Sequence, residues 1–505
     1  LWSVLERAGT EFADRPAIHD GDRHYTYGDL HERALKLARF LRDQGVGPGE
    51  AVGVMLRNRA EVIETHFALA ALRAVVLNVN VRLAPPELNH IFRQSGARWI
   101  VTTPDFAPAL SAAAALGDLR LGGVLWVDDP AAQSPPTSGD ARLGEHHRYS
   151  AVMTAAPTPF APARGSEYDP AHLYYTSGTT GLPKGVVLTH RQVFVHAIAA
   201  AEEMRITQDD TWGHFSAMYH VVDAFAIYAL TWHGGQHVIV SDPDPTRFLR
   251  LLASERITCT NLAAAAAHFL IHSPDVGSHD FSALRIVSCG GSALDPGTVK
   301  RLMEILGCEL FMSYGMTECC GKISMSLLSE AHKALSPDER FTLIATSGRP
   351  FKRIQVRLVD DHGADVEAND RAVGEVWIRG ITVFAGYHND GPATREAFQD
   401  GWFKTGDLAT IRPDGYLTIV GRKKDMIIAY GENVYPGEVE RVLRLHPGVQ
   451  QAAVYGLPHP TAGESVKAVV QRRAGHEVPA SDLTAFCRRH LAAYKVPAII
   501  EFIAE

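Results

Sequence analysis

The feature that most constrains the fold is an alternation of helical and strand-like patterns along the first quarter of the chain. Helical periodicity covers residues 30–44 and 60–72. Short apolar runs typical of strands cover residues 51–56, 75–79, 99–102 and 123–127. Strands and helices that alternate at this spacing are typical of βαβ units. The sequence therefore predicts a layered α/β domain with parallel strands.

The rest of the chain changes character twice. Residues 128–169 are rich in Pro, Ser, Gly and Ala and predict a surface connection, because strand 173–176 and helix 191–202 follow directly. Further strands are expected at residues 238–240, 285–288, 310–313, 355–359, 375–379 and 416–420. Beyond Gly421 we expect a helix over 436–445, a strand over 452–455 and a helix over 481–493.

The predicted fold class is therefore α/β. It comprises a large N-terminal domain of layered α/β subdomains with a β-rich subdomain, followed by a small α+β C-terminal domain. The length of 505 residues also requires more than one domain.

Composition excludes several classes of protein. A net charge of -8 gives no basic surface for nucleic acid, so we expect a small-molecule partner. The six cysteines include no C-x-x-C pair, which argues against zinc and a disulfide framework and favours the reducing cytoplasm. No apolar run reaches the roughly 18 residues that a membrane-spanning helix needs.

Residues 174–185 form a glycine- and hydroxyl-rich run that ends in a lysine and another glycine. Glycines let backbone N–H groups converge, and hydroxyls and a lysine add donors and charge, which together suit a polyphosphate. Gly185 follows the lysine, so the run is not a P-loop. The predicted phosphate-binding residues are Thr176, Ser177, Gly178, Thr179, Thr180, Gly181 and Lys184.

This run closely resembles the signature of the adenylate-forming superfamily, which comprises acyl-CoA synthetases, nonribosomal-peptide adenylation domains and beetle luciferases. The resemblance extends from about Tyr25 to the end of the chain. It implies an ATP-dependent ligase with Mg²⁺ as cofactor. A carboxylic acid is first converted to an acyl-adenylate with release of pyrophosphate, and the acyl group then passes to a nucleophile.

The resemblance extends to further nucleotide-site residues. In residues 314–318 it assigns Tyr314 and Gly315 to the nucleotide, Thr317 to phosphate and Glu318 to magnesium. A carboxylate at a strand end beside phosphates suits Mg²⁺. Asp407 corresponds to the aspartate that accepts hydrogen bonds from the ribose hydroxyls, and Arg422 to the arginine beside it. The predicted adenine loop comprises Gly290, Gly291, Ser292 and Ala293.

The resemblance places His220 opposite the carboxylic substrate, in the catalytic group with Lys184, Thr317 and Glu318. The substrate pocket is expected along residues 218–228, 261–270, 289–291 and 315–321, whose aromatic, small and sulfur side chains suit an aryl or cyclic acid. Its predicted residues are His214, Met218, Asp223, Cys289, Gly290, Met316 and Cys319.

The domain division is expected near Gly421, with an adenylating domain over 1–421 and a mobile C-terminal domain over 422–505. Lys424 occupies the hinge position, about which the smaller domain turns between the two half-reactions. The resemblance also implies an adenylation lysine in a P-x-x-x-x-G-K segment. The sequence ends at Glu505 before that segment, so we expect it to be cut short.

The nucleophile that accepts the acyl group is inferred from the residues expected to line its channel, Tyr430 and Gly431. Tyr430 stands where the superfamily usually has the glycine that lines the pantetheine tunnel, and no basic residue occurs in 498–500. We therefore favour an amine acceptor, with His220 or His214 taking the ammonium proton. An aryl- or acyl-CoA ligase is the alternative. A nucleotide-binding pseudoenzyme is a second alternative, motivated by the absent lysine.

Overall fold

The computed structural model describes residues 1–117, 119–128, 140–156, 159–176, 183–241, 245–291, 294–429, 432–459 and 463–503. Within those ranges, none of the helices has both the length and the apolar character to cross a membrane.

The helices are α1 Trp2–Glu11, α2 Tyr27–Asp43, α3 Ala60–Leu72, α4 Pro85–Ser95, α5 Ala107–Ala115, α6 Tyr149–Thr154, α7 His190–Met204, α8 Val221–His233, α9 Pro245–Ser254, α10 Ala264–His272, α11 Pro296–Leu306, α12 Pro337–Ile344, α13 Gly391–Ala397, α14 Pro436–Arg444 and α15 Ala480–His490. Local sequence explains where several begin. At α2, for example, the hydroxyl of Thr26 accepts from the backbone N–H of Asp29, and the Asp29 carboxylate accepts from that of Thr26.

The strands of the N-terminal half are β1 Pro16–Asp20, β2 Arg23–Thr26, β3 Ala51–Met55, β4 Val75–Asn78, β5 Trp99–Thr102, β6 Gly123–Trp126, β7 Glu145–Arg148, β8 Pro170–Thr176, β9 Lys184–Thr189, β10 Thr211–His214, β11 Gln236–Ile239, β12 Cys259–Ala263 and β13 Ile286–Gly290. Those of the C-terminal half are β14 Glu309–Met316, β15 Gly321–Met325, β16 Arg349–Pro350, β17 Ile354–Val359, β18 Gly374–Gly380, β19 Gly386–Tyr387, β20 Phe398–Gln399, β21 Trp402–Ile411, β22 Leu417–Arg422, β23 Ile427–Ala429, β24 Glu432–Val434, β25 Val449–His459, β26 Gly463–Arg472 and β27 Ile499–Ile503.

Two large sheets dominate the fold. An eight-stranded sheet has the order β19-β9-β8-β4-β3-β5-β6-β7, and a nine-stranded sheet the order β16-β15-β14-β13-β12-β10-β11-β1-β2. The strands from β8 through β4 and β3 to β7 run parallel, as do β11, β10, β12, β13 and β14. This parallel arrangement confirms the predicted α/β class.

The core lies between these two sheets. One apolar cluster joins Val52 and Val186 of the eight-stranded sheet to Ile286 and Phe311 of the nine-stranded sheet through α3, α7 and α8. All thirteen residues of α3 are buried. The sequence pattern did not indicate α8, because a helix that is apolar on all sides has no amphipathic periodicity.

The prediction of a surface connection over 128–169 is wrong in part. Residues 129–139 and 157–158 lie outside the described residues, but between them β7 extends the eight-stranded sheet beside β6. Helix α6 follows, and its buried Tyr149 donates a hydrogen bond to Glu64 at 2.5 Å. Polar residues at an edge strand hide this pairing from a hydrophobicity pattern.

Two five-stranded sheets complete the described structure. The third sheet has the strand order β17-β18-β21-β20, and β22 also pairs with β21. The fourth sheet has the order β24-β23-β26-β25, and β27 also pairs with β26. The fourth sheet packs with α14 and α15 around a core of its own. Gly421 lies one residue before the end of β22. The division of the chain at this residue stays a prediction.

Candidate active site

The predicted phosphate loop joins two paired strands. Thr176 ends β8, Lys184 begins β9, and the two residues are direct partners in the antiparallel ladder. The other predicted residues of the loop, Ser177, Gly178, Thr179, Thr180 and Gly181, lie outside the described residues. The strand pair therefore places the lysine beside the start of the loop.

A tyrosine lies near this lysine and also bonds to a glutamate. Thr317, Glu318 and Cys319 form one 3-10 turn directly after β14. The Tyr387 hydroxyl donates to Glu318 Oε1 at 3.2 Å, and Lys184 Nζ lies 5.2 Å from the centre of the Tyr387 ring. Sequence analysis missed Tyr387, which comes from β19, two hundred residues along the chain from Lys184.

The carboxylate of Glu318 fits the predicted magnesium role. Magnesium is usually held by one or two carboxylates together with substrate phosphates. Burial raises the pKa of Glu318, and the hydrogen bond from Tyr387 and the charge of Arg422 oppose this rise. A cation bound at this carboxylate would offset the energetic cost of burying its negative charge. No cluster of three or more His, Cys, Asp or Glu that could hold a metal occurs in the described ranges.

Asp407 is the centre of a second polar group. Its Oδ2 accepts from the Tyr314 hydroxyl at 2.7 Å, and its Oδ1 lies 2.9 Å from Arg422 Nε. Asp407 and Arg422 face each other across β21 and β22, so the sheet register sets their pairing. The Asp407 residue is 4% exposed, and this burial raises its pKa. The structure thus brings together three residues that the sequence assigned to the nucleotide.

Three glycines that the sequence assigned to the nucleotide site, Gly290, Gly291 and Gly315, have different structural roles. Gly290 ends β13, and Gly291 has a φ of +89°, a conformation that favours glycine. Ser292 and Ala293, which complete the predicted adenine loop, lie outside the described residues. A Cβ at Gly315 would lie 1.7 Å from the carbonyl oxygen of Gly321. Backbone packing between β14 and β15 therefore requires glycine at position 315, whatever it contributes to nucleotide binding.

His220 is the exposed residue immediately before α8. Partial burial of its ring, with the nearby Arg82, lowers its pKa. The preceding segment is held by Asn58, whose amide donates to the carbonyls of His214 and Ser216 at 2.8 Å each. The Asn58 Oδ1 also accepts from the N–H of Met218 at 2.8 Å. Sequence analysis missed Asn58, because an isolated asparagine in a loop gives no pattern.

The structure buries two of the predicted substrate-pocket residues, His214 and Asp223. Neither side chain has any exposed surface. His214 Nδ1 lies 2.6 Å from Asp223 Oδ2, and His214 Nε2 lies 3.0 Å from His237 Nδ1. Trp212 Nε1 donates to the other Asp223 oxygen at 3.2 Å. With both ring nitrogens bonded and no exposed surface, His214 is not positioned to take a proton from an incoming amine.

The other predicted pocket residues divide by burial. Met218, Cys289 and Cys319 are buried, Gly290 and Met316 are half-buried, and Thr317 is half-buried in the turn beside Glu318. All six cysteines of the chain are buried and unpaired.

A small cavity of about 10 Å³, with room for about one water molecule, lies among the elements that carry the site. It includes Val221, which follows His220, and Cys320, which lies two residues after Glu318. Its other lining residues are His172 and Tyr174 of β8, Leu188 of β9, Val193 and His196 of α7, and Ala224, Phe225 and Tyr228 of α8. The α8 residues and Cys320 belong to segments in which the sequence placed the substrate pocket. The residues from β8, β9 and α7 were missed.

The wall of the cavity includes a hydrogen-bonded group of rings. The Tyr228 hydroxyl lies 2.7 Å from His172 Nε2 and 3.2 Å from His66 Nδ1. Burial lowers the pKa of His172 well below its usual range, so this ring is neutral. The cavity therefore offers aromatic surface with neutral polar atoms on one side.

The predicted hinge residue Lys424 is exposed in the 3-10 turn Lys423–Asp425 between β22 and β23. The neighbouring Lys423 binds the carboxylates of Asp361 and Glu375, with Nζ–O distances of 3.0 and 3.4 Å. Tyr430 and Gly431 fall between β23 and β24 and lie outside the described residues. The predicted obstruction of an acceptor channel by Tyr430 is therefore untested.

This fold and site define a class of protein. Residues 5–388 match the AMP-binding enzyme family, and residues 438–505 match the AMP-binding enzyme C-terminal domain. The chain belongs to this family and is an adenylate-forming ligase.

Several relatives resemble the chain over nearly its whole length. It is 32% identical to 4-hydroxybutyrate--CoA ligase 2 of Metallosphaera sedula, over 99% of this chain and 90% of the relative. It is 34% identical to a feruloyl-CoA synthase of Amycolatopsis sp, over 96% of this chain and 91% of the relative.

Solved structures show the same fold. The anthranilate CoA ligase AuaEII, in complex with anthranoyl-AMP, has a TM-score of 0.87 and 25% identity, covering 100% of this chain and 93% of that one. The amide bond synthetase McbA from Marinactinospora thermotolerans has a TM-score of 0.86 and 26% identity, covering 100% and 96%. Similarity of fold at this level therefore extends to enzymes with different acceptors.

Proposed function

We propose that this chain is an ATP-dependent acyl- or aryl-CoA ligase, which forms an acyl-adenylate and transfers the acyl group to the thiol of coenzyme A. The observation that carries the adenylation step is that Glu318, bonded to Tyr387 beside Lys184, lies close enough to Asp407 and Arg422 to be influenced by their charges. The relatives named above that match almost the whole chain are CoA ligases. This support reverses our preference for an amine acceptor.

In the first half-reaction a carboxylate oxygen of the acid attacks the α-phosphorus of ATP. The bond from that phosphorus to the bridging oxygen breaks, and pyrophosphate leaves with the electron pair. Lys184 and the hydroxyl of Thr176 are proposed to hold phosphate oxygens, and Asp407 to accept from the ribose hydroxyls. Catalysis then comes mainly from positioning and from charge stabilisation.

The Glu318 carboxylate is proposed to hold a magnesium ion, which would neutralise phosphate charge. Tyr387 would orient this carboxylate through the bond that it already donates. Thr317 precedes Glu318 in the same turn and is proposed to contact phosphate.

In the second half-reaction the thiol of coenzyme A loses its proton to solvent, its sulfur attacks the carbonyl carbon of the acyl-adenylate, the bond from that carbon to the AMP oxygen breaks, and AMP leaves. His220 is proposed to face the reacting carboxyl group, because it is exposed beside Val221 of the cavity. We propose that the acid's tail packs against the segments 218–228, 261–270, 289–291 and 315–321, whose aromatic, small and sulfur side chains suit an aryl or cyclic group. We further propose that 422–505 acts as a mobile domain that turns about Lys424 between the two steps.

An amine acceptor is the second candidate. Two observations favour it: the similarity to the amide bond synthetase McbA and the tyrosine at position 430. Of the two histidines considered as the base for an amine, only His220 is exposed. The buried pairing of His214 with Asp223 and His237 supports the choice of His220 over His214.

An acid-dependent pyrophosphate-release screen tests the proposal. Acids that give release are then incubated with ATP and either CoA or a panel of amines, and the products are identified by mass spectrometry. An acyl-CoA thioester is the expected product, and an amide formed in preference to it would establish the second candidate. ATP binding without pyrophosphate release for any acid would instead support a nucleotide-binding pseudoenzyme.

A matched pair of variants distinguishes loss of the proposed ribose contact from a general loss of activity. Asp407→Asn removes the negative charge and one of the two acceptor oxygens of the proposed ribose contact. Asp414→Asn changes a carboxylate that also pairs with an arginine, Arg412, at 3.1 Å, in the turn between β21 and β22. We expect the first variant to lose pyrophosphate release and the second to keep it.

A further inference from the structure

A bulge in the third sheet contains the aspartate that is proposed to bind the ribose. The ladder between β18 and β21 includes the pairs Trp377–Lys404 and Glu375–Leu408. Between these pairs, the three residues 405–407 of β21 lie opposite a single residue of β18. Bulges are common beside active sites, where they redirect a side chain. The proposed ribose-binding aspartate is the last of the three bulged residues.

Side chains satisfy the backbone of this bulge, which has lost its register with β18. The Thr405 hydroxyl accepts from the N–H of Asp407 at 3.0 Å and donates to the Val376 carbonyl at 2.8 Å. Glu375 Oε1 accepts from the N–H of Gly406 at 3.2 Å. Gly406 has a φ of +73°, a conformation that favours glycine. Glu375 therefore holds the backbone of the residue immediately before Asp407.

The second oxygen of Glu375 pairs with a lysine. Lys423 Nζ lies 3.4 Å from Glu375 Oε2, and Lys423 directly follows Arg422, the partner of Asp407. The side chain of Glu375 is 12% exposed, so water has little access to replace its contacts. The side chain of Lys423 is 43% exposed and also pairs with Asp361, which makes the contact with Lys423 the weaker of the two.

The negative charge of Glu375 is unfavourable so close to Asp407. Burial is the main cause of the raised pKa of Asp407, and the charge of Glu375 raises this pKa further. Two carboxylates that are close in space repel each other. The contacts of Glu375 with Gly406 and Lys423 offset this repulsion, so the glutamate holds the bulge at an energetic cost to the neighbouring carboxylate.

We propose that Glu375 is a positioning residue for the ribose contact, because it holds the bulge in the conformation that directs the Asp407 carboxylate toward the ribose hydroxyls of ATP. This inference rests on the proposed function, in which Asp407 binds the ribose. Glu375 acts through the backbone of Gly406 and needs no contact with the nucleotide. A misplacement of about 1 Å in a binding group can lower activity about a hundredfold, so a small relaxation of the bulge would be measurable.

The test measures how strongly the enzyme prefers ATP to nucleotides that lack one ribose hydroxyl. Pyrophosphate release is measured with ATP, 2′-deoxy-ATP and 3′-deoxy-ATP, and benzoate, 4-hydroxybenzoate and hexanoate are the first acids tried. We expect the kcat/KM of the wild type to be about 10- to 100-fold higher for ATP than for the poorer analogue, the range for a hydrogen bond to a charged group. A general loss of activity would lower all three values together, whereas a misplaced Asp407 would lower this ratio.

Four variants separate the contacts of Glu375. Glu375→Ala leaves the N–H of Gly406 without this acceptor and should lower the ratio about fivefold or more, mainly by raising KM for ATP. Glu375→Gln can still accept from Gly406 and should keep most of the ratio. Lys423→Met should lower the ratio by no more than about fivefold. Glu440→Ala is the control, because Glu440 also accepts from a backbone N–H, that of Val454 at 3.0 Å, where α14 meets the fourth sheet. It should leave the ratio unchanged.

The outcomes are distinguishable. An unchanged ratio in a folded Glu375→Ala enzyme would overturn the positioning role and leave the proposed function intact. Pyrophosphate release without any preference for ATP in the wild type would overturn the ribose contact of Asp407 and this inference with it, but not the ligase reaction. Absence of release with every acid would overturn both the proposed function and this inference.

A second variant covers the case in which Glu375→Ala fails to fold. Glu375→Asp keeps the negative charge, but its side chain is one methylene too short to reach Gly406. It should therefore lower the ratio as Glu375→Ala does, and an unchanged ratio would overturn the positioning role.

Discussion

Replacing Lys322 by methionine should make the protein more stable, and by an amount that depends on pH. Burial lowers the pKa of Lys322 from 10.5 to about 7. Between these two values the unfolded chain binds one more proton than the folded chain, so the stability of the wild type rises with pH. Below pH 7 the side chain is charged in both states, and the folded state carries the full cost of a buried charge.

The size of this cost follows from the pKa. One pKa unit is worth about 1.4 kcal/mol, so a fall from 10.5 to about 7 corresponds to about 5 kcal/mol. Methionine has no titratable group and fills a similar volume. We therefore expect Lys322→Met to exceed the wild type in unfolding free energy by about 5 kcal/mol at pH 6. This difference should fall by roughly 1.4 kcal/mol for each pH unit above 7.

Denaturant unfolding of both proteins from pH 6 to pH 9 measures this difference, with fluorescence and circular dichroism as probes. A chain of this size unfolds in more than one step, so the comparison uses the transition that Lys322→Met shifts. Lys300→Met, at an exposed lysine, should follow the wild type at every pH. A difference that does not change with pH, or a wild type that is the more stable protein at pH 6, would refute the reasoning.

Three further substitutions test the site. Tyr387→Phe removes the hydroxyl that donates to Glu318 and should reduce pyrophosphate release about tenfold while leaving the fold intact, which a comparison of initial rates and melting temperatures checks. Asn58→Ala removes the side chain that bonds the N–H of Met218 and two carbonyls, so it should lower the unfolding free energy by about 1–3 kcal/mol. It should also raise KM for the acid more than KM for ATP. Equal increases in the two KM values would argue against a role of Asn58 in positioning His220. Gly315→Ala places a Cβ 1.7 Å from the Gly321 carbonyl and should lower the unfolding free energy by about 3 kcal/mol or more, measured by denaturant titration, and an unchanged midpoint would contradict the packing argument.

Much of the fold could be predicted from local pattern. Helix α3 and strand β5 have the bounds that periodicity and β-branched content indicate. The errors occur where tertiary contacts override local signals. Strand β7 is polar yet pairs with β6, and α8 is apolar on every side because it lies within the core between the two large sheets.

In the candidate site, too, some residues could be identified from the sequence and others only from the fold. Motifs that are contiguous in sequence, such as residues 314–318 and the lysine after the glycine-rich run, could be identified because a phosphate site needs several short-range features together. Tyr387, Asn58 and Lys322 gave no such signal, because each acts through a partner far away in the chain. The burial of His214 also needed the fold, since it depends on Asp223 and His237.

The sequence by itself determined the class of chemistry, that of an adenylate-forming ligase, and its proposed phosphate, magnesium and ribose residues occur in short motifs. It could do so because these motifs require particular residue types at particular spacings. Only the tertiary structure decided which side chains remain accessible and which are buried. It leaves His220 exposed and His214 buried, and it leaves the ammonium of Lys322 without a hydrogen-bond partner in the part of the chain that the structure describes, because burial and charge compensation depend on contacts between distant segments.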